Sequence, residues 1–142
     1  MATITAALEG GTRVRLSNGR HDWSADEPAE AGGEDKGPTP YELLLGALAA
    51  CTLITLSLYC RHKGIPLASV RATYAHDRIH ARDCEDCDEG AGGFLDRVRS
   101  RVIIEADVDA AGRARLEQIV GRCPVHRTLE NGIRMTDAVE FA

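Results

Sequence analysis

The most uniform stretch of the chain is also its most apolar. Residues 43–60 carry no charge, and charged groups bracket them on both sides. Pro40 precedes the run at a place suited to the first helical turn, where its missing N–H would be unpaired anyway. Glu42 sets a negative charge against the positive end of a helix dipole, and Arg61, His62 and Lys63 set positive charge against the other end. Gly64 suits the residue just past a helix. The pattern predicts one long helix, apolar nearly all round, which needs cover on two sides. A sheet of the same chain covers one side, and a second subunit most simply covers the other. The run sits at the lower edge of a membrane span. Gly46, Ala47, Ala49, Ala50, Thr52, Thr55 and Ser57 dilute it, so a buried core helix is the expectation.

Ahead of this helix the pattern is that of a meander. Residues 2–8 read as a strand, Gly10 and Gly11 as a turn, and residues 12–16 as a second strand with Val14 and Leu16 opposite Arg13 and Arg15. Asn18 and Gly19 form a strong hairpin signal. Residues 20–24 continue the meander with Trp23 as an apolar anchor. Residues 26–37, rich in acid, Gly and Pro, read as a solvated loop. Beyond the helix, residues 70–76 alternate with Val70, Ala72 and Tyr74 on one face. Residues 80–93 form a second acidic, Gly-rich loop, and 94–107 alternate again as an antiparallel partner. Leu116, Ile119 and Val120 place a helix over 110–121. Cys123 and Pro124 open a short helix through 129, ended by Asn131 and Gly132. Residues 133–141 read as a final strand. The order predicts an α+β fold with antiparallel sheets around a central cysteine-bearing helix, as one domain over residues 1–142.

Composition narrows the functional classes. The net charge is −5 and the pI about 5.5, which argues against a nucleic-acid or anionic-membrane surface as the main partner. The first residues lack a basic and an apolar segment of the signal-peptide kind, so a cytoplasmic protein is expected. Five cysteines in such a chain point to reactive or metal-binding thiols rather than a disulfide framework.

Two of the five have distinctive settings. Cys123 precedes Pro124, so it falls at a helix N-cap, where backbone N–H groups and the dipole stabilise a thiolate. Arg122, His126 and Arg127 add positive potential. Cys51 lies inside the apolar helix, where burial alone would make it inert. It becomes a nucleophile only if a cation reaches it.

The stretch GPTPYELLLGALAACTLITLSLY, followed much later by CPVHRTLENG, resembles the osmotically inducible protein C / organic hydroperoxide resistance (OsmC/Ohr) family. The resemblance covers nearly the whole chain. It implies an intertwined α+β homodimer with two sites at the subunit interface, reducing organic hydroperoxides without metal or flavin as an antioxidant response. It implies Cys51 as the peroxidatic thiol and Cys123 as the resolving one. It also implies an activating Arg–Glu pair. The family glutamate lies ten residues before the cysteine, which is Tyr41 here. Glu42 is one residue later, a rotation of about 100° on a helix. Arg13, Arg15 and Arg20 are candidates for the arginine, and Arg13 matches best.

A further constellation is His80 with Cys84 and Cys87. The C-x2-C spacing suits a metal or redox pair, and Asp83, Glu85, Asp86, Asp88 and Glu89 favour a cation over a thiolate. A similar cysteine pair marks a subgroup that this chain resembles. Zinc held by Cys84, Cys87 and His80 is therefore an expectation, beside that of two free cysteines in an acidic loop. The leading expectation is a homodimeric reductase of organic hydroperoxides that uses an external thiol. The rival is a small-ligand or zinc-binding protein on the same fold, with little peroxidase turnover.

Overall fold

The computed structural model describes residues 1–80, 83–84 and 92–141. The chain divides into two compact units, Met1–Gly46 and Ala47–Ala142. The division falls inside the long helix α1 (Pro40–Lys63), which both units share.

The first unit is an antiparallel meander in the order β1 (Thr5–Gly10), β2 (Arg13–Ser17), β3 (Asp22–Ala25). Asn18 turns the chain between β2 and β3: its Oδ1 accepts from Arg20 N–H and His21 N–H at 3.0 and 2.8 Å. Trp23 pairs across strands with Leu16. The segment 26–37 has more order than its composition suggests, because it winds around a buried carboxylate. Asp26 is 2% exposed. Its Oδ1 accepts from the Thr12 hydroxyl (2.6 Å) and Glu27 N–H (2.9 Å), and its Oδ2 from Glu34 N–H (3.2 Å) and Lys36 N–H (3.1 Å). The Thr12 hydroxyl and those three amides outweigh burial and hold its pKa down to about 2. A side chain at Gly33 would run into the Glu27 carbonyl.

Both ends of α1 are capped as their residues suggest. Thr39 N–H donates to Glu42 Oε2 at 2.7 Å, and Glu42 N–H donates to Thr39 Oγ1 at 3.3 Å. This reciprocal pair is a capping box. At the other end Gly64 is left-handed (φ 65°). Ile65 N–H bonds Cys60 O (2.8 Å) and Gly64 N–H bonds Arg61 O (3.3 Å), a Schellman ending.

The second unit packs the rest of α1 with a long hairpin, β4 (Leu67–His80) and β5 (Phe94–Ala106), and with α2 (Ala110–Val120) and α3 (Pro124–Asn131). Asp109 caps α2 by accepting from Gly112 N–H at 2.8 Å. Leu56 and Cys60 of α1 meet Leu116 and Ile119 of α2, and Val70, Val102 and Ile104 of the hairpin close on them. The far end of the hairpin is held by charge instead: Asp77 accepts from Arg97 Nε (2.9 Å), Arg97 Nη2 (2.7 Å) and Arg99 Nη2 (3.0 Å).

Two features of this unit bear on assembly. The buried side chains of α1 fall every fourth residue, at Leu48, Thr52, Leu56 and Cys60, a single stripe. On the opposite face Ile54 and Leu58 are 57% and 53% exposed. The expected last strand is the second feature, and it requires correction. Residues 132–141 run without helix or strand, and Ile133, Met135, Val139 and Phe141 are exposed. Their alternation is that of a strand, but a strand is stable only with a neighbour to take its backbone hydrogen bonds.

Candidate active site

The site grows from the beginning of α3. Cys123 is its N-cap residue, in extended conformation, and Pro124 follows. A helix start leaves its first N–H groups without intrahelical partners. Pro124 has none to offer, so Val125 and His126 present the next two. His126 N–H donates to Cys123 Sγ at 3.2 Å, and the Val125 amide favours the charged form of both Cys123 and Cys51. The sulfur therefore does at this helix what a serine or aspartate oxygen does at others.

Helix α1 brings two adjacent residues to that sulfur. Cys51 and Thr52 each favour the charged form of the Cys123 side chain. The neighbours that matter most, Thr52 and Cys123, are fully buried. Thr52 is in turn held by the hairpin, since Tyr74 Oη donates to Thr52 Oγ1 at 2.9 Å. Thr55 Oγ1 donates to the Cys51 carbonyl at 2.7 Å, which fixes the helix beneath the thiol. All these residues lie within the second unit.

The two sulfurs have opposite electrostatics. Burial pushes the Cys51 thiol up, and the neighbouring Cys123 sulfur pushes it further than the Val125 amide and Thr55 can offset. Burial acts on Cys123 in the same sense. There the His126 amide, the Thr52 hydroxyl, the Cys51 thiol and the Val125 amide together win, and they hold it below the usual thiol range. The two shifts run in opposite directions within one pair, Cys51 up and Cys123 down. Cys51, Cys60 and Cys123 are all free thiols.

The other residues singled out in the sequence have partners of their own. Arg13 Nε is 3.3 Å from Glu9 Oε2, and Arg15 Nη2 is 3.5 Å from Asp22 Oδ1, both pairs within the first unit. Glu42, offered as a catalytic carboxylate, is engaged in the capping box by Thr39 N–H. Its position three residues after Thr39 is the one a capping box needs. Cys84 is disulfide-bonded, so in this state it provides no thiolate to zinc. Cys87 falls outside the described residues, and the His80 ring packs edge-on against Phe94, with centroids 5.3 Å apart. Among the described residues, no group of three or more His, Cys, Asp or Glu side chains is placed to hold a metal. A cleft of about 450 Å³ is lined by β5 and α2 residues including Val102, Ile104, Leu116 and Arg113, with neither Cys51 nor Cys123 among its walls.

Thr52 and Tyr74 were not legible as site residues. Their signals are a hydroxyl next to Cys51 in an apolar run, and a tyrosine on the inward face of β4, where a buried phenol needs a partner.

An α+β chain whose long helix sets one thiol against a second thiol at a helix N-cap defines a two-cysteine fold. The sequence model of the family described as OsmC-like protein matches residues 33–136, and the chain belongs to the OsmC-like family. Among solved structures it is similar to an OsmC-like protein from Mycoplasma pneumoniae, at 23% identity and a TM-score of 0.70, covering 92% of this chain and 87% of that one. It is similar also to an organic hydroperoxide resistance protein OsmC from Legionella pneumophila (19% identity, TM-score 0.62, coverage 89% and 87%). A third is the organic hydroperoxide resistance protein OhrB of Bacillus subtilis (22%, 0.59, 89% and 88%). At these identities the likeness is one of fold. No curated protein sequence matches the chain significantly.

Proposed function

We propose that this protein reduces organic hydroperoxides to alcohols with electrons from an external thiol, through Cys51 and Cys123. The observation that carries the reading is a pair of free thiols that each bear on the other's charge, one of them at a helix N-cap. Cys51, as its thiolate, attacks the distal peroxide oxygen. The O–O bond breaks, the alkoxide leaves and takes a proton as the alcohol, and Cys51 becomes a sulfenic acid. Cys123 attacks the Cys51 sulfur, hydroxide leaves, and a disulfide forms. Two equivalents of external thiol return both sulfurs to their starting state. Thiols alone suffice for this cycle, and apolar surroundings favour an organic tail over hydrogen peroxide.

The working form in this reading is a cytoplasmic homodimer. The exposed Ile54 and Leu58 face of α1 and the unpaired alternation of residues 133–141 are surfaces that a second copy would cover. The rival reading is a small-ligand or zinc-binding protein, and a disulfide-bonded Cys84 offers its zinc form no thiolate.

The test is consumption of an alkyl hydroperoxide with a dithiol reductant, followed by mass spectrometry of the oxidised peptides. Cys51→Ser abolishes turnover. Cys123→Ser permits a single oxidation and then accumulates Cys51 sulfinic acid. Normal turnover by Cys51→Ser, or a peroxide-induced bridge that omits Cys51, refutes the assignment.

A further inference from the structure

A groove of about 460 Å³ runs along α3, lined by Arg122, Pro124, Arg127, Thr128, Asn131 and Gly132. Pro124, Arg127, Thr128 and Asn131 stand at i, i+3, i+4 and i+7, which is one face of a helix. The walls hold two guanidiniums, a carboxamide and no carboxylate. The acid of this helix is engaged on another face, where Glu130 Oε1 lies 3.3 Å from His126 Nε2. Among the described residues, neither the Arg122 nor the Arg127 guanidinium makes an ion pair or a hydrogen bond. Thr128 Oγ1 donates to the Pro124 carbonyl at 2.9 Å, so the donors left for a ligand are the two guanidiniums and the Asn131 amide. In a chain of net charge −5, this wall is a local reversal of sign.

The groove adjoins the thiol site through the backbone. Arg122 and Pro124 are the two neighbours of Cys123 in the chain, and consecutive Cα atoms are about 3.8 Å apart. A guanidinium receives a carboxylate or a phosphate through paired N–H donors. A small molecule that carries such a group and a thiol could therefore anchor beside Cys123 while its sulfur does chemistry.

We propose that this groove holds the carboxylate or phosphate of the external thiol, so that the reductant of the Cys51–Cys123 disulfide is an anionic thiol. This rests on the disulfide of the proposed cycle. Cys51 is partly exposed and Cys123 fully buried, so the incoming thiolate meets Cys51 Sγ, which in the disulfide lies about 2.05 Å from Cys123 Sγ. The external sulfur bonds to Cys51 Sγ, the S–S bond breaks, and its electron pair departs on Cys123 Sγ. A second external thiolate attacks the external sulfur of the mixed disulfide and frees Cys51. Anchoring the anionic end raises the local concentration of the attacking sulfur.

The experiment oxidises the full-length protein with diamide, which does not depend on any peroxidase activity. The rate of disulfide opening is then followed by acid quench and mass spectrometry, per thiolate, with 3-mercaptopropionate, its neutral amide and cysteamine. At low ionic strength the acid outpaces the amide by about 3- to 10-fold, the scale of two exposed ion pairs, and cysteamine is the slowest. The preference fades at high salt. It is lost in Arg122→Gln/Arg127→Gln and kept in Arg113→Gln/Arg134→Gln, which removes the same charge outside the groove. Inorganic phosphate, added at constant ionic strength, separates the two anions: it suppresses the preference if the groove takes phosphate as well, and leaves it intact if the groove takes the carboxylate alone. Equal rates for acid and amide, a preference that survives Arg122→Gln/Arg127→Gln or falls equally in the control pair, or failure of diamide to join the two sulfurs overturns the proposal. A protein that consumes hydroperoxide without the preference refutes the groove and keeps the peroxidase reading. One that shows the preference but consumes no hydroperoxide does the reverse.

Discussion

The capping box at the start of α1 makes a prediction that separates two roles for Glu42. The resemblance to the family invites a catalytic carboxylate near this position, whereas the geometry gives Glu42 Oε2 to Thr39 N–H and Thr39 Oγ1 to Glu42 N–H. Loss of an N-cap hydroxyl costs about 1 kcal/mol, within roughly 0.5–2. Thr39→Ala should therefore lower the melting temperature by about 2–4 °C in a chain of this size. Glu42→Ala removes the reciprocal bond and a charge that the helix dipole favours by about 0.3–1 kcal/mol, so its loss should be similar. Glu42→Gln keeps an oxygen for Thr39 N–H and should recover most of it. The two side chains share one motif, so the double variant should lose less than the sum of the singles. Urea unfolding at fixed protein concentration gives the free energies, and alkyl hydroperoxide consumption gives the activity. Under the capping role, activity per folded protein is unchanged in Glu42→Gln. If Glu42→Gln is as stable as the wild type yet about 100-fold or more slower, a loss typical of a general acid–base group, the carboxylate is catalytic and the capping argument fails.

Two further outcomes follow from the geometry. Asp26 has a folded-state pKa held near 2, below its ordinary value of 3.8, so its stabilisation is present above that ordinary value and is lost as pH falls toward 2. The urea midpoint of the wild type should therefore drop across this window, and Asp26→Asn should start lower at neutral pH and show a flatter acid limb. A wild-type-like acid limb in Asp26→Asn would falsify that account. For the dimer, light scattering should give twice the 15.3 kDa chain mass at micromolar concentration, and Ile54→Asp on the exposed face of α1 should shift the population toward monomer. A monomeric wild type would end the proposal of a covered helix.

What could be read from the sequence is what local physics decides. Pro40 and Gly64 mark α1 because a proline suits a helix start and a glycine a left-handed ending. Cys123 and Pro124 mark α3 for the same reason, and the 2-residue alternation from Val70 to Tyr74 lies within β4. Three features escaped because their partners are far apart. Asp26 reads as one more acid in a polar loop, since two of its four donors are backbone amides eight and ten residues on. Thr52 and Tyr74 are 22 residues apart, and nothing local links a helix hydroxyl to a strand phenol. Residues 133–141 have the period of a strand but lack, among the described residues, the neighbour that would make them one. Periodicity reports which face seeks burial, and pairing needs a second strand.

The three free thiols among the described residues form an internal comparison that shows what sets reactivity in this unit. Cys60 lies in the core cluster beside Leu56, Leu116 and Ile119, and burial alone pushes its pKa up. Cys51 and Cys123 are also raised by burial, so an apolar setting does not distinguish them from Cys60. Donors do. Cys60 has the cost of desolvation without compensation and behaves as a small apolar side chain. Cys51 has one amide and a threonine against that cost, and they fall short because burial and the Cys123 sulfur both act against them. Cys123 has two amides, a hydroxyl and a thiol, and they prevail. The same inequality has a consequence for the first chemical step. A Cys123 thiolate is a base that can take the Cys51 proton. Cys51 can become a nucleophile by passing its proton across the pair, at a cost equal to the difference between the two thiols. A cation placed at Cys51 would lower that cost, whereas one at Cys123 would raise it. The position of any such charge, more than its presence, therefore decides how fast the pair meets a peroxide.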